Sequence, residues 1–445
     1  MLSVGPDSAI PHDVREPAGR AQRLRTPLGD RGAAAGSEER DAARLVGGRE
    51  ARYSAGNQGG SHMRFFFVAA LVLAAGLPAK ARTIVVHRGG SIRAAIAAAS
   101  SGDRILVLPG TYHEGAPGDL NALTITKSDI ELVGASEDEK HPVVLENAGG
   151  QSYGVWASPA NSTGPGSQSD GEHPPCGLDG STLHGFAIHG FTVRGFANHG
   201  VHLACVDGFA ITGNHADGNG VYGLFPIVSR HGVVAGNVVT NTVTDAGIYL
   251  GQSDDVLIVG NDVHDNLLGL EVENSRHCAV IGNRAFGNTL GIFVDILPFL
   301  ERGTQETTLV AYNHVHDNNR PNTANPGDLL SVLPTGLGIL VAGGHGTRVV
   351  QNQVRDNGFA GIAVASLCLG LALQGGACTG LDIDPNPVND RIVGNFLGHN
   401  GTVPQADPFF DALRADLIWD GSGTGNCWSR NLFASSTPAQ LPACP

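Results

Sequence analysis

Ile211-Thr-Gly-Asn214, Val234-Ala-Gly-Asn237, Ile258-Val-Gly-Asn261 and Val280-Ile-Gly-Asn283 are four copies of one short phrase. The Asn-to-Asn spacings are 23, 24 and 22 residues. The same ending returns at Leu309-Val-Ala-Tyr-Asn313, Val349-Val-Gln-Asn352 and Ile392-Val-Gly-Asn395. A second Asn follows a few residues later, at Asn219, Asn241, Asn266, Asn288, Asn318, Asn357 and Asn400. A glycine and an alternating apolar run come next, as in Gly247-Ile-Tyr-Leu, Gly269-Leu-Glu-Val and Gly291-Ile-Phe-Val. Such a period is one coil of a parallel β-helix, whose coils stack because none can bury its own inner face. A leucine-rich repeat would carry a different leucine frame, and a propeller blade would need about 40 to 45 residues. Asn suits the turn because it tolerates a left-handed backbone and can hydrogen-bond from coil to coil. The expected fold is an all-β, right-handed parallel β-helix over residues 82–401.

Composition agrees. The 445 residues include 63 Gly but only two Met, with 16% charged residues. Short β-branched strands joined by Gly and Asn turns explain that mix. The net charge of −14 argues against a nucleic-acid partner, which needs a basic stripe. A polyanionic glycan would need local positive charge or a bridging cation such as calcium.

The ends differ from the repeat. Met63-Arg64, the 13-residue apolar run Phe65–Leu77 and Ala79-Lys80-Ala81 form a signal-peptide pattern, with cleavage expected after Ala81. The run is too short to span a bilayer. Residues 1–62 are polar and Arg-rich, expected as a disordered extension or a start assigned too early. Ser91 is the expected N-cap of an apolar helix closing the N-terminal end of the stack. Residues 402–445 are expected to be a C-terminal cap, with a short amphipathic helix over Phe409–Trp419. Seven Cys suit an exported, secreted or periplasmic protein. The expected disulfides are Cys368/Cys378, Cys427/Cys444 and Cys176/Cys205, with Cys278 left buried. The mature chain is expected to be a monomer with no transmembrane segment.

The stretch SIRAAIAAASSGDRILVLPGTYHE (91–114) resembles the opening of the pectin-lyase-like superfamily, which includes pectinesterases and polysaccharide lyases. YGLFPIVS, DAGIYLGQSDDV, GLEVENS, HVHDNNRPN and GLGILV resemble a family of exported bacterial parallel β-helix repeat proteins. The resemblance spans residues 83–430 and implies fold and export. It transfers no catalytic residue.

Aligning coils by their Asn separates inward from outward residues. Ile248/Leu250, Leu270/Val272 and Ile292/Val294 point inward. Tyr249, Glu271 and Phe293 then share one outward column, and Gly251, Glu273 and Asp295 the next. Three carboxylates so close must share protons, bind a cation or spread into solvent. Insertions at 297–304, 319–337 and 366–389 flank them and imply a groove. Glu271, Glu273 and Asp295 are therefore the candidate catalytic acids, with Glu273 and Asp295 also candidate calcium ligands. Tyr249 and Phe293 are candidate sugar platforms. His316 and Arg320 are weaker catalytic candidates, since Val315-His-Asp-Asn318, like Val263-His-Asp-Asn266, occupies the repeated turn. The expected function is binding or processing of a polysaccharide, by a lyase, hydrolase or epimerase reaction left open. The alternative is a non-catalytic periplasmic β-helix that binds a glycan or a partner protein.

Overall fold

The computed structural model describes residues 81–116, 118–136, 141–160, 176 and 181–445. The expected extension, and all but Ala81 of the expected signal peptide, lie outside the described residues. Three parallel sheets of twelve, eleven and ten strands run the length of the described chain. Each coil contributes one strand to each sheet. The register pairs Val201, Leu224, Ile248, Leu270, Ile292, Ile339, Ile362 and Leu417 in one column. All eight side chains are fully buried in the shared core. A β-branched or Leu side chain at the same place in every coil makes that stack continuous.

The Asn column forms as expected, for a partly different reason. Asn261 is typical. Its Nδ2 donates to Asn283 Oδ1 at 2.9 Å and to the Val234 carbonyl at 3.0 Å, while its Oδ1 accepts from the Asn237 backbone N–H. The same pattern links Asn214 to Asn237 and runs on through Asn313, Asn352 and Asn395 to Asn431. The left-handed residue, however, is the one before each Asn: Gly213, Gly236, Gly260, Gly282, Tyr312, Gln351 and Gly394 have positive φ. The Asn is there to satisfy buried backbone groups, not to adopt the unusual φ.

The second column follows the same rule and corrects one member. Asn241 is exposed, has φ 59° and donates from Nδ2 to Asp217 Oδ1. Thr242 takes its ladder place, its backbone N–H donating to Asn266 Oδ1 at 2.9 Å. A third turn carries a ladder that the Asn pattern does not reveal. There Ser229, Ser253, Ser275 and Gln305 pass hydrogen bonds from one coil to the next.

The ends close the stack. Ile92–Ala98 is helical, with Ser91 accepting from the Ala94 N–H as N-cap. The tail from Thr402 does not leave the repeat. Its helix is Pro408–Leu413, and Ala415–Trp419 is a strand paired with Ala360–Ala365. Cys427–Ser429 likewise extends the twelve-stranded sheet. Burial along Ala415–Trp419 does not alternate, since Ala415 through Ile418 are all buried. Disulfides join Cys176 to Cys205, Cys368 to Cys378 and Cys427 to Cys444, and Cys278 is free and buried. No helix among the described residues is long and apolar enough to cross a membrane.

Candidate functional site

Strands Ala246–Gly251, Leu268–Glu273 and Leu290–Asp295 lie side by side in the eleven-stranded sheet. Their register sets Tyr249 beside Glu271, Glu271 beside Phe293, Gly251 beside Glu273 and Glu273 beside Asp295. One carboxylate oxygen from each of Glu271, Glu273 and Asp295 lies within 4.8 Å of the others. Parallel strands are about 4.8 Å apart, so acids on neighbouring coils have no room to separate. The columns read from the sequence are the columns of the fold.

Their surroundings are not those expected. The sheet face is covered, leaving Glu271 4%, Glu273 6% and Asp295 1% exposed. A second apolar cluster lies outside the sheet, where Phe225, Phe293 and Leu340 meet Leu330 and Leu333 of the 319–336 insertion. These acids are therefore neither solvated nor in an open groove. Tyr249 and Phe293 are 2% and 3% exposed, so neither offers a free ring to a sugar. Tyr249 instead stacks on Phe225 at 4.6 Å, and its hydroxyl donates to Glu273 Oε1 at 2.7 Å. Gly251 permits this, because a Cβ there would collide with the Tyr249 ring.

A fourth carboxyl joins the cluster. Asp245 precedes the first of these strands and accepts from the Tyr222 hydroxyl at 2.9 Å. Burial and the carboxyls of Asp245, Asp295 and Glu273 push Glu271 well above the usual carboxylate range. Burial and Glu273 do the same to Asp295. Glu273 and Asp245 are each pushed up to about 7, chiefly by burial, with the Tyr249 and Tyr222 hydroxyls pulling the other way. A protonated Glu271 can donate to Asp245. Even so, Asp245 Oδ1, Glu271 Oε2 and Asp295 Oδ1 are buried and accept no hydrogen bond from an ordinary protein donor. A buried oxygen without a donor is costly. Protons near neutral pH, or a hard cation, would satisfy it.

Asp245 was missed because it lies just outside the strand, at a corner read as turn. A signal was available. In the coil register its column continues as Leu267 and Thr289, both buried, so a charge there stands out.

His316 and Arg320 do not join the acids. His316 ends strand His314–His316 on the ten-stranded sheet, a different sheet. Its Nδ1 lies 2.7 Å from Asp317 Oδ2, and its ring stacks on Phe286 at 5.1 Å. His264 repeats the arrangement with Asp265 and the other face of Phe286. In both Val-His-Asp-Asn runs the Asp has positive φ and the Asn is a ladder member. The motif is thus turn chemistry written twice. Arg320 holds its place through its backbone, N–H to the Asn288 carbonyl and carbonyl to the Thr289 hydroxyl.

The three insertions do flank the acids. Segment 297–304 is pinned by Leu297 N–H to Asn274 Oδ1 and by an Arg302–Asp254 ion pair at 2.6 Å. Segment 319–336 contains a 3-10 turn, Leu329–Val332, held by Asn322 Nδ2 to the Leu330 and Leu333 carbonyls. The third holds the helix Leu367–Leu373 and the Cys368–Cys378 bridge.

A family model described as a right handed beta helix region matches residues 199–374. Among solved structures, the chain is similar to the A-module of the mannuronan C-5 epimerase AlgE4 from Azotobacter vinelandii. That likeness has a TM-score of 0.54 and 16% identity, over 78% of this chain and 91% of that one. It is also similar to a variant of the periplasmic alginate epimerase AlgG, with a TM-score of 0.51 and 19% identity, over 76% and 70%. No curated protein sequence matches the chain. Identities this low carry the fold and leave the chemistry to the site. The chain has the right-handed parallel β-helix fold.

Proposed function

We propose that this is an exported β-helix protein that processes a polysaccharide at the covered carboxyl cluster of Asp245, Glu271, Glu273 and Asp295. The observation that carries the reading is the convergence of four carboxyls and two phenols on one sheet face, with three buried carboxyl oxygens unsatisfied. A carboxyl titrating near neutrality can hold a proton in one step and accept one in the next. Glu273 and Asp245 are placed for that task, each with a tyrosine hydroxyl to orient it. Burial keeps those protons on, helped by the Asp245 carboxyl acting on Glu273 and by Asp328 acting on Asp245.

The same oxygens fit a hard divalent cation. Glu271, Glu273 and Asp295 would hold calcium through oxygen alone, as that ion prefers. Calcium would supply neutralisation of the cluster and attraction for an acidic sugar. The chain's own residues would still orient the substrate and move the proton. A uronate-containing polysaccharide is the substrate class this favours, and the two solved β-helices of similar fold are both named as mannuronan or alginate epimerases. Three disulfides accord with a secreted or periplasmic setting. Leu330 and Leu333 of the insertion 319–336 pack against the apolar cluster beside the acids.

The test is a screen of the chain, freed of residues 1–81, against acidic and neutral polysaccharides with and without calcium. Unsaturated products, new reducing ends and a change of uronate configuration are read together. Turnover that is lost in Glu273→Gln supports the proposal. Binding without turnover on every glycan would move the protein to the non-catalytic reading, as a binder of a glycan or a periplasmic partner.

A further inference from the structure

Beside the acids, on the same sheet face, a cavity of about 370 Å³ opens. Its floor continues the outward columns: Phe293, Leu340, Ala363 and Ile418 follow Glu271, while Ala342 and Ala365 follow Asp295. The small side chains of Ala342, Ala363 and Ala365 in those columns leave room between the floor and the segments above it. Three separate segments make its walls: the 3-10 turn Leu329–Val332, the helix Leu367–Leu373 and the helix Pro408–Leu413. Each is pinned independently, by Asn322, by the Cys368–Cys378 bridge and by the Asp407 N-cap on Phe409 N–H. The walls therefore have no simple way to collapse inward.

The lining is hydrocarbon almost throughout. Its one charged side chain, Asp420, already accepts hydrogen bonds from Ser366 N–H at 2.8 Å and Ser422 N–H at 2.9 Å. Ligand sites are commonly preformed apolar cavities of about 300 to 1,000 Å³ with a few polar groups at one side. Here the carboxyl cluster borders the cavity without lining it: Asp295 shares a strand with Phe293 of the floor, and Glu271 and Glu273 lie on the next strand. The geometry points to an amphiphilic ligand: a saccharide bearing an acyl or alkyl chain, its sugar at the acids and its chain in the cavity. This rests on reading the cluster as a glycan site and narrows the substrate class to acylated or lipid-linked glycans. The floor spans four strands, roughly 14 Å at about 4.8 Å per step, enough for a medium-length chain.

The probe series is maltose and the octyl, decyl and dodecyl β-D-maltosides, kept below micelle formation and titrated calorimetrically into the full chain. Affinity should rise by about fourfold per methylene, the yield of about 0.8 kcal/mol for each buried CH₂, until the cavity is full. Ala363→Phe, which fills the floor, should flatten the series, and Ala365→Phe serves if the first variant does not fold. Glu273→Gln should leave the slope unchanged. Affinity independent of chain length, or a slope that survives both fillings, overturns the inference. So does dimer dissociation on alkyl binding, which would give the cavity to a second copy of the chain. A slope with no turnover on any glycan would sink the catalytic reading and leave this one standing.

Discussion

Two sheets of the coil carry acids on or beside their outer faces, yet the acids behave as different chemical groups. On the ten-stranded sheet each has a basic partner and access to water: Asp262 pairs with Arg284 at 2.7 Å, Asp265 with His264 and Asp317 with His316. On the eleven-stranded sheet Glu271, Glu273 and Asp295 are buried under inserted segments, and the charges acting most strongly on them are other carboxyls. Cover, rather than position in the repeat, converts a surface acid into one that holds its proton near neutral pH.

The sharpest way to break this contrast is to compare Glu273→Gln with His316→Ala. Loss of a positioned acid–base group commonly lowers turnover by about 10² to 10⁴-fold. Glu273→Gln should fall in that range on whichever glycan the screen identifies. His316→Ala, on the other sheet, should stay within about threefold. Equal losses in kcat for the two variants would show that the working site lies elsewhere.

The ladder comes next in size. Asn318→Ala removes the acceptor of the Asn288 N–H and Nδ2 and a donor to the Ala285 carbonyl, all buried. At about 1 kcal/mol or more for each orphaned group, the variant should lose on the order of 2 to 4 kcal/mol in denaturant unfolding. A loss below 1 kcal/mol would mean that water enters the turn and the ladder is not a structural spine.

The ladder also explains what the sequence could and could not disclose. Asn237, Asn261 and Asn283 are legible because every coil must satisfy the same buried backbone groups at the same corner. That repetition fixes the register, and the register places Glu273 beside Asp295 from spacing alone. It is equally why His264 and His316 are recognisable as turn residues. The cover over the acids is not periodic. Leu330, Leu333, Phe410 and Leu413 lie in irregular segments, and which face such segments fold onto depends on packing that no repeat encodes. Tyr249 and Phe293 were assigned to solvent for that reason. Asp245 escaped for another, since it sits one residue outside a strand where turn composition hides a charge. The strand in the tail is not legible because Ala415–Trp419 is only five residues long and lacks alternation, its first four residues all being buried.

The pH dependence of stability separates the two faces further. Glu273 and Asp245 keep their protons up to about pH 7 in the folded chain, against ordinary values of 4.5 and 3.8. Between those limits the folded state binds more protons than the unfolded one, so stability falls as pH rises. It is greatest below about pH 4 for these groups and lost as pH passes 7. Melting followed from pH 5 to pH 8 should therefore drop by several degrees through this cluster. Glu273→Gln should shrink the drop, and calcium should restore stability at pH 8. An unchanged slope in Glu273→Gln, with no calcium effect, would mean the acids ionise without penalty and are better solvated than their burial indicates.

The smallest effects belong to the exposed side. Arg284→Ala breaks a half-exposed ion pair with Asp262 and a contact of the Arg284 guanidinium 4.8 Å from the Phe286 ring centre. Exposed pairs are worth about 0 to 1 kcal/mol, so unfolding should shift by roughly 0.5 kcal/mol, less in high salt. Asp317→Asn should be smaller still. Its φ of 54° suits Asn as well as Asp, and the ladder Asn beside it is untouched. If Asp317→Asn instead cost as much as Asn318→Ala, the His316–Asp317 pair would be more than a turn. The exposed face would then hold an ionic element that the solvent does not screen.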